Sequence, residues 1–149
     1  MRSEFHTKLL DKLVDVGEPA FNMAHEKLLD MVINADVILG SAVSENRSLS
    51  TEEWNNLANI FDELISYAKI HFSEEMDHLR AHGYPNVEQH QVDHDALVDE
   101  LNHFQRKVME NDDANVRDIR KWLLAWLLNH VNYKDLEYAQ YFASKKAPS

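Results

Sequence analysis

Four stretches of the chain place an apolar residue at every third or fourth position, and each of these apolar stripes contains a histidine. That period belongs to an α-helix with one buried face. The stripes read Phe21, His25, Leu28, Val32; then Leu57, Ile60, Leu64, Tyr67, Ala68, His71, Glu75; then His90, His94, Leu97, Leu101, Phe104, Val108; and finally Ile119, Trp122, Leu123, Trp126, Leu127, His130. Only three glycines and three prolines interrupt the 149 residues, which suits long helices better than a turn-rich sheet. A chain of this length is expected to fold as one domain with a core of its own.

The breakers set the expected boundaries. Gly17 and Pro19 open a helix predicted to run from Pro19 to about Leu39, and "GSAVSENRSLS" reads as a connector. Thr51 is the predicted cap of the next helix, with Glu52 and Glu53 in its first turn. "HGYPN" (His82 to Asn86) stops that helix, another begins near Val87, and "ENDDAN" separates it from the last. The expected fold class is all-α: an up-down-up-down four-helix bundle with an additional N-terminal segment, a short helix. In that segment Phe5, Leu9, Leu13 and Val16 share a stripe. The organisation predicted is an N-terminal extension over residues 1–16, the bundle over 17–142 and a C-terminal tail over 143–149.

A net charge of −11 opposes nonspecific attraction to nucleic acid and to anionic membranes, so neither is an expected partner. No apolar run approaches the roughly 18 residues that span a bilayer. No apolar segment followed by a small-residue cleavage site marks the N-terminus, and cytoplasm is the expected location. Zero cysteines exclude disulfides and thiolate metal sites.

The nine histidines are what composition leaves unexplained. A buried imidazole needs partners for both nitrogens, and a buried carboxylate such as Glu75 needs a counter-charge. Several such groups, contributed by all four helices, predict a shared cation. Residues four apart lie on one helical face about 5–6 Å from each other, so His71 with Glu75, and His90 with His94, can each reach one centre. His130 and Asp135 are five apart, about 140° past a full turn at 3.6 residues per turn. That pair suits one ion only if Asp135 approaches from the side or the helix is locally irregular. Spacing alone does not settle Asp135 or the single His25. A donor set rich in nitrogen and free of sulfur favours iron, manganese, zinc or cobalt over calcium or magnesium. His78 and His82 lie at a helix end and are expected to be solvated, as are His6 and His103 at the surface.

The sequence resembles the hemerythrins of the single-domain bacterial kind. The resemblance lies in "AHEKL" around His25, "HFSEE" from His71 to Glu75, "YPNVEQHQVDH" from Tyr84 to His94 and "WLLNHVNYKD" from Trp126 to Asp135. These motifs cover all four helices in order. It implies two non-haem iron ions: His90, His94 and His130 on one, His25 and His71 on the other. Glu75, Asp135 and a solvent-derived oxo or hydroxo group would bridge them. The second iron then keeps an open position, where dioxygen can bind. Leu28, Leu127, Trp126 and Ile70 are expected to wall that position. Asn22 and Ala24 stand where bacterial members often carry an acid and a glutamine, and "RSEFHTKLLDKLVDVGEP" replaces the family's extended N-terminal arm. This segment is expected to cover the bundle end, gate the site or pair subunits.

The function implied is reversible dioxygen binding, as carrier, store or sensor, with a redox or signalling protein as a further partner. Two alternatives stand beside it: a diiron enzyme that reduces peroxide or nitric oxide or oxidises ferrous iron, and a metal-stabilised structural or regulatory bundle.

Overall fold

In the computed structural model, which describes residues 4–146, the chain forms α1 (Glu4–Lys12), α2 (Pro19–Ser44), α3 (Thr51–Ala81), α4 (Val87–Met109), α5 (Val116–Asn129) and α6 (Leu136–Lys146). A short 3₁₀ turn (Asp113–Asn115) precedes α5, and a π-helical turn (His130–Asp135) joins α5 to α6. Helices α2 to α5 make the up-down-up-down bundle that the stripes predict, and α6 prolongs the fourth rod past the π turn. The side chain of His6 and the chain beyond Lys146 lie outside the described residues.

Connectors are short because a left-handed residue turns the chain at three helix ends: Asn46 (φ 51°), Gly83 (φ 70°) and Asn111 (φ 52°). At the end of α3 the Tyr84 N–H bonds the Leu79 carbonyl at 3.0 Å and the Gly83 N–H bonds the Arg80 carbonyl at 3.2 Å. Leu79 and Tyr84 pack in one cluster behind that turn, completing a Schellman stop.

Two boundaries differ from expectation. α2 continues through Gly40 to Ser44 rather than ending near Leu39, because Ala42 is buried in the core and Val43 packs on it. Gly40 fits inside this helix because the Arg120 guanidinium lies over it; a Cβ there would stand 3.1 Å from Arg120 Nη2. That guanidinium holds the buried Asp36, Nε to Oδ1 at 2.9 Å. The cap of α3 is Ser50, not Thr51. Ser50 Oγ accepts the Glu53 N–H at 3.1 Å while Glu53 Oε1 accepts the Ser50 N–H at 3.0 Å, a reciprocal capping box.

Buried apolar residues fall into two clusters. The larger fills most of the bundle with Leu28, Val32, Leu39, Leu57, Phe61, Leu64, Leu101, Ile119 and Leu123 among others. The smaller, with Val16, Phe21, Met76, Leu79, Tyr84 and Tyr138, closes one end. α1 packs on the larger cluster through Leu9 and Leu10, and Leu13, just past its end, joins them. Phe5, expected on the same stripe, is exposed, since this short helix meets the bundle along a single row. The chain after α1 is tied down by Asn132: its Oδ1 accepts the Val14 N–H at 3.1 Å and its Nδ2 donates to the Lys12 carbonyl at 3.0 Å. The N-terminal segment therefore lies along α2 and the π turn.

Candidate metal centre

The polar side chains that the stripes carry form a layer between the two apolar clusters. α3 sets His71 and Glu75 one turn apart, α4 does the same for His90 and His94, and α2 adds His25 from the facing side. All five are buried, and so are His130 and Asp135. The π turn resolves the awkward spacing of that last pair. Within it the Leu136 N–H reaches back five residues to the Val131 carbonyl, widening the turn. His130 Nε2 and Asp135 Oδ1 then stand 3.0 Å apart. The i, i+5 spacing that fits an α-helix poorly fits this local geometry.

The seven side chains gather into two overlapping groups. Glu75, His90, His94, His130 and Asp135 present donor atoms within 4.8 Å of one another, as do His25, His71 and Glu75. Each carboxylate divides its oxygens between the groups. Glu75 Oε1 lies 2.9 Å from His90 Nε2 and 3.0 Å from His94 Nε2, while Oε2 lies 3.3 Å from His71 Nε2 and 3.7 Å from His25 Nε2. Asp135 Oδ1 lies 3.0 Å from the Nε2 atoms of His90 and His130, and Oδ2 lies 3.2 Å from that of His25. Two donors at about 2.1 Å from one ion, set at a right angle, are themselves about 3.0 Å apart. The spacing is that of neighbouring ligands around a metal.

Hydrogen-bond geometry points the same way. Despite these distances, both ring nitrogens of His25, His71 and His94, Nε2 of His130 and both oxygens of Asp135 make no hydrogen bond, although all are buried. Lone pairs aim at common points rather than at one another's protons. An unsatisfied buried polar group costs about 1–3 kcal/mol, so such a set would rival the whole stability of a typical domain, about 5–15 kcal/mol. A cation bound where these donors converge would remove that cost. The donor chemistry, nitrogen with carboxylate oxygen, fits a transition metal.

In protons, the layer is polarised accordingly. Burial opposes charge on His25 and His90, but contact with Asp135 and Glu75 outweighs it and pushes each up to about 9. Burial likewise opposes charge on Glu75, yet the rings of His25, His71, His90 and His94 hold it well below the ordinary carboxylate range. Asp135 is lowered too, against burial and the charge of Glu75, by His130 and His25. His94 goes down, through burial and then the neighbouring His130 and His90, with Glu75 opposing.

Aromatic rings wall the layer. Phe72 stacks on His94 at 4.2 Å between centroids and tilts against His71 and His130 at 5.7 and 5.8 Å. Phe21 meets His71 edge-on at 5.8 Å. Tyr84 and Tyr138 meet His90 edge-on at 6.4 and 5.6 Å. Leu28, Leu127 and Trp126 are buried as a wall requires, but Ile70 is not: it is 58% exposed, because one residue before His71 on α3 points away from the bundle axis. Sequence reasoning missed Phe72, on the stripe one residue past His71, and Tyr138, whose hydroxyl donates to Glu75 Oε2 at 3.1 Å. The signal for Tyr138 was its place three residues after Asp135, on the same face of the last rod.

Among the described side chains the other histidines stand apart from both donor groups. His103 is exposed, His82 is exposed with its Nδ1 2.9 Å from the His78 carbonyl, and His78 packs against Phe21 and His82. Asn22, at the position where bacterial members often carry an acid, serves the N-terminal loop: it accepts the Val16 N–H at 3.0 Å and donates to Asp15 at 2.9 Å.

Comparison with known proteins agrees with this geometry. The chain is 26% identical over 125 residues to a bacteriohemerythrin of Clostridium acetobutylicum, covering 83% of this chain and 92% of that protein. It is 27% identical over 114 residues to one of Methylococcus capsulatus, covering 76% and 79%. With one of Stenotrophomonas maltophilia it shares 22% over 126 residues, covering 85% and 75%. No solved structure gives a match. The family description "Hemerythrin HHE cation binding domain" matches residues 17–142, a span that includes all seven clustered side chains. The chain therefore belongs to the hemerythrin family.

Proposed function

We propose that the centre holds two non-haem iron ions and binds dioxygen reversibly. His90, His94 and His130 would hold one iron, and His25 and His71 the other. Glu75 and Asp135 would bridge them together with an oxo or hydroxo group. One observation carries this reading: each carboxylate has one oxygen beside the three-histidine group and the other beside the two-histidine group. A single ion would not call for that division. When bound, a ferrous pair supplies two electrons for reversible attachment of dioxygen.

The chain's own residues supply the rest. The two-histidine position has one nitrogen donor fewer and so leaves room for a small ligand. Phe21 and Phe72, with the buried Leu28 and Leu127, keep bulk water from the layer, which suppresses protonation and loss of reduced oxygen. We infer a cytoplasmic location; among the described residues no helix is long and apolar enough to cross a membrane. A redox or signalling protein is the partner we infer.

The test is spectroscopic. Metal-free protein loaded anaerobically with ferrous iron and then exposed to air is expected to gain a visible oxo-to-iron charge-transfer band that fades on deoxygenation. A colourless product, or a band that survives deoxygenation, contradicts the reading. Sustained turnover of peroxide or nitric oxide would favour the enzymatic alternative.

A further inference from the structure

α6 contributes no proposed metal ligand, yet it sends one side chain into the layer. Tyr138 is 1% exposed, and its hydroxyl donates to Glu75 Oε2 at 3.1 Å. Edge contacts with His90, Tyr84 and Phe142 fix the ring at centroid distances of 5.6, 6.3 and 6.5 Å.

Which oxygen it touches matters. Oε2 is the Glu75 oxygen beside His71 and His25, whereas Oε1 is the one beside His90 and His94. Asp135 offers no counterpart, for neither of its oxygens accepts a hydrogen bond. A carboxylate oxygen that already accepts a hydrogen bond is a weaker donor to a cation, because the proton draws on the same electron density. We propose that Tyr138 is a positioning residue that acts through Glu75 to make the two metal positions electronically unequal, weakening oxygen donation at the two-histidine position. The inference rests on the diiron reading. Weaker donation there favours the ferrous over the ferric state at the position that already has fewer nitrogen donors.

The experiment compares iron-loaded parent protein with Tyr138→Phe and with a ring-fluorinated tyrosine at the same place, whose hydroxyl is a stronger donor. Mössbauer spectra of the diferric form and the reduction potential are the readouts. Tyr138→Phe is expected to bind two irons, to change the spectral component of one iron only, and to shift the ferric-to-ferrous ratio at that iron about tenfold toward ferric, about 59 mV for a one-electron couple. The fluorinated residue is expected to shift it the other way. Spectra and potential unchanged in both variants, or an equal change at both irons, overturn the proposal; a merely structural tyrosine would give the first result. Should Tyr138→Phe fail to fold, the isosteric fluorinated protein decides alone, by the presence or absence of its one-iron shift. Parent protein that does not load two irons overturns the diiron reading instead, before either variant is measured.

Discussion

The bundle interior is solved in two opposite ways along its length. Around Leu39, Leu57, Phe61, Leu101 and Ile119 it is filled by apolar side chains, and the buried Asp36 nearby is held by Arg120. Toward one end, beneath the smaller apolar cluster, the same four rods bury five histidines and two carboxylates, most of whose polar atoms lack a hydrogen bond. The first region is stable by burial and dispersion. The second is costly until something outside the chain completes it. What the difference teaches is that one half carries the folding free energy and so allows the other half to hold converging lone pairs.

The largest effect separates these roles. Phe61→Ala in the apolar half is expected to cost about 3–5 kcal/mol in denaturant unfolding, while metal per folded chain stays at the parent value. Glu75→Ala is expected to do the reverse, abolishing loading of the metal pair, since it removes the carboxylate shared by both groups. Metal analysis of the two purified proteins breaks the comparison if Phe61→Ala loses metal or Glu75→Ala keeps it.

Metal removal comes next. Metal held at 100 times its dissociation constant stabilises the folded state by about 2.7 kcal/mol, and each kcal/mol moves the melting temperature of a domain this size by about 2–4 °C. Chelation is therefore expected to lower the melting temperature by about 5–10 °C. An unchanged melting curve would mean that the polar end was never completed by metal.

These contrasts bear on what the sequence could reveal. Helical period and breakers were enough for the four rods, because a stripe of Leu, Ile and Phe has one stable solution. His71, Glu75, His90 and His94 were legible as convergent, since i, i+4 spacing fixes a shared face. Asp135 was legible only through the family resemblance, because its bearing depends on a π turn and the five-residue spacing fits an ordinary helix poorly. Tyr138 escaped notice since an isolated tyrosine on an amphipathic helix looks like packing until its hydroxyl's partner is known. Ile70, beside a stripe, and Phe5, at the outer end of one, misled in the opposite direction: an apolar residue is no proof of burial. The glycine at position 40 broke the pattern locally, but its reason is the Arg120 guanidinium packed over it, eighty residues away, which no local pattern encodes.

Smaller effects sharpen the boundary between the halves. Asn132→Ala removes two hydrogen bonds that tie the N-terminal segment to the π turn, an expected loss of about 1–2 kcal/mol. Limited proteolysis should then cut faster between α1 and α2; unchanged cleavage would show that the tether adds nothing. Ser50→Ala, at the far end of the bundle, is expected to cost about 1 kcal/mol through the lost cap and to leave metal content untouched. A change in metal affinity in that variant would mean that the two regions are coupled more tightly than their packing indicates.

The most direct test is anaerobic titration of metal-free protein with ferrous iron, with bound iron counted against chain concentration. Saturation at two irons per chain is the result expected from carboxylates that face both histidine groups. Saturation at one, or no binding, would contradict the account at its base.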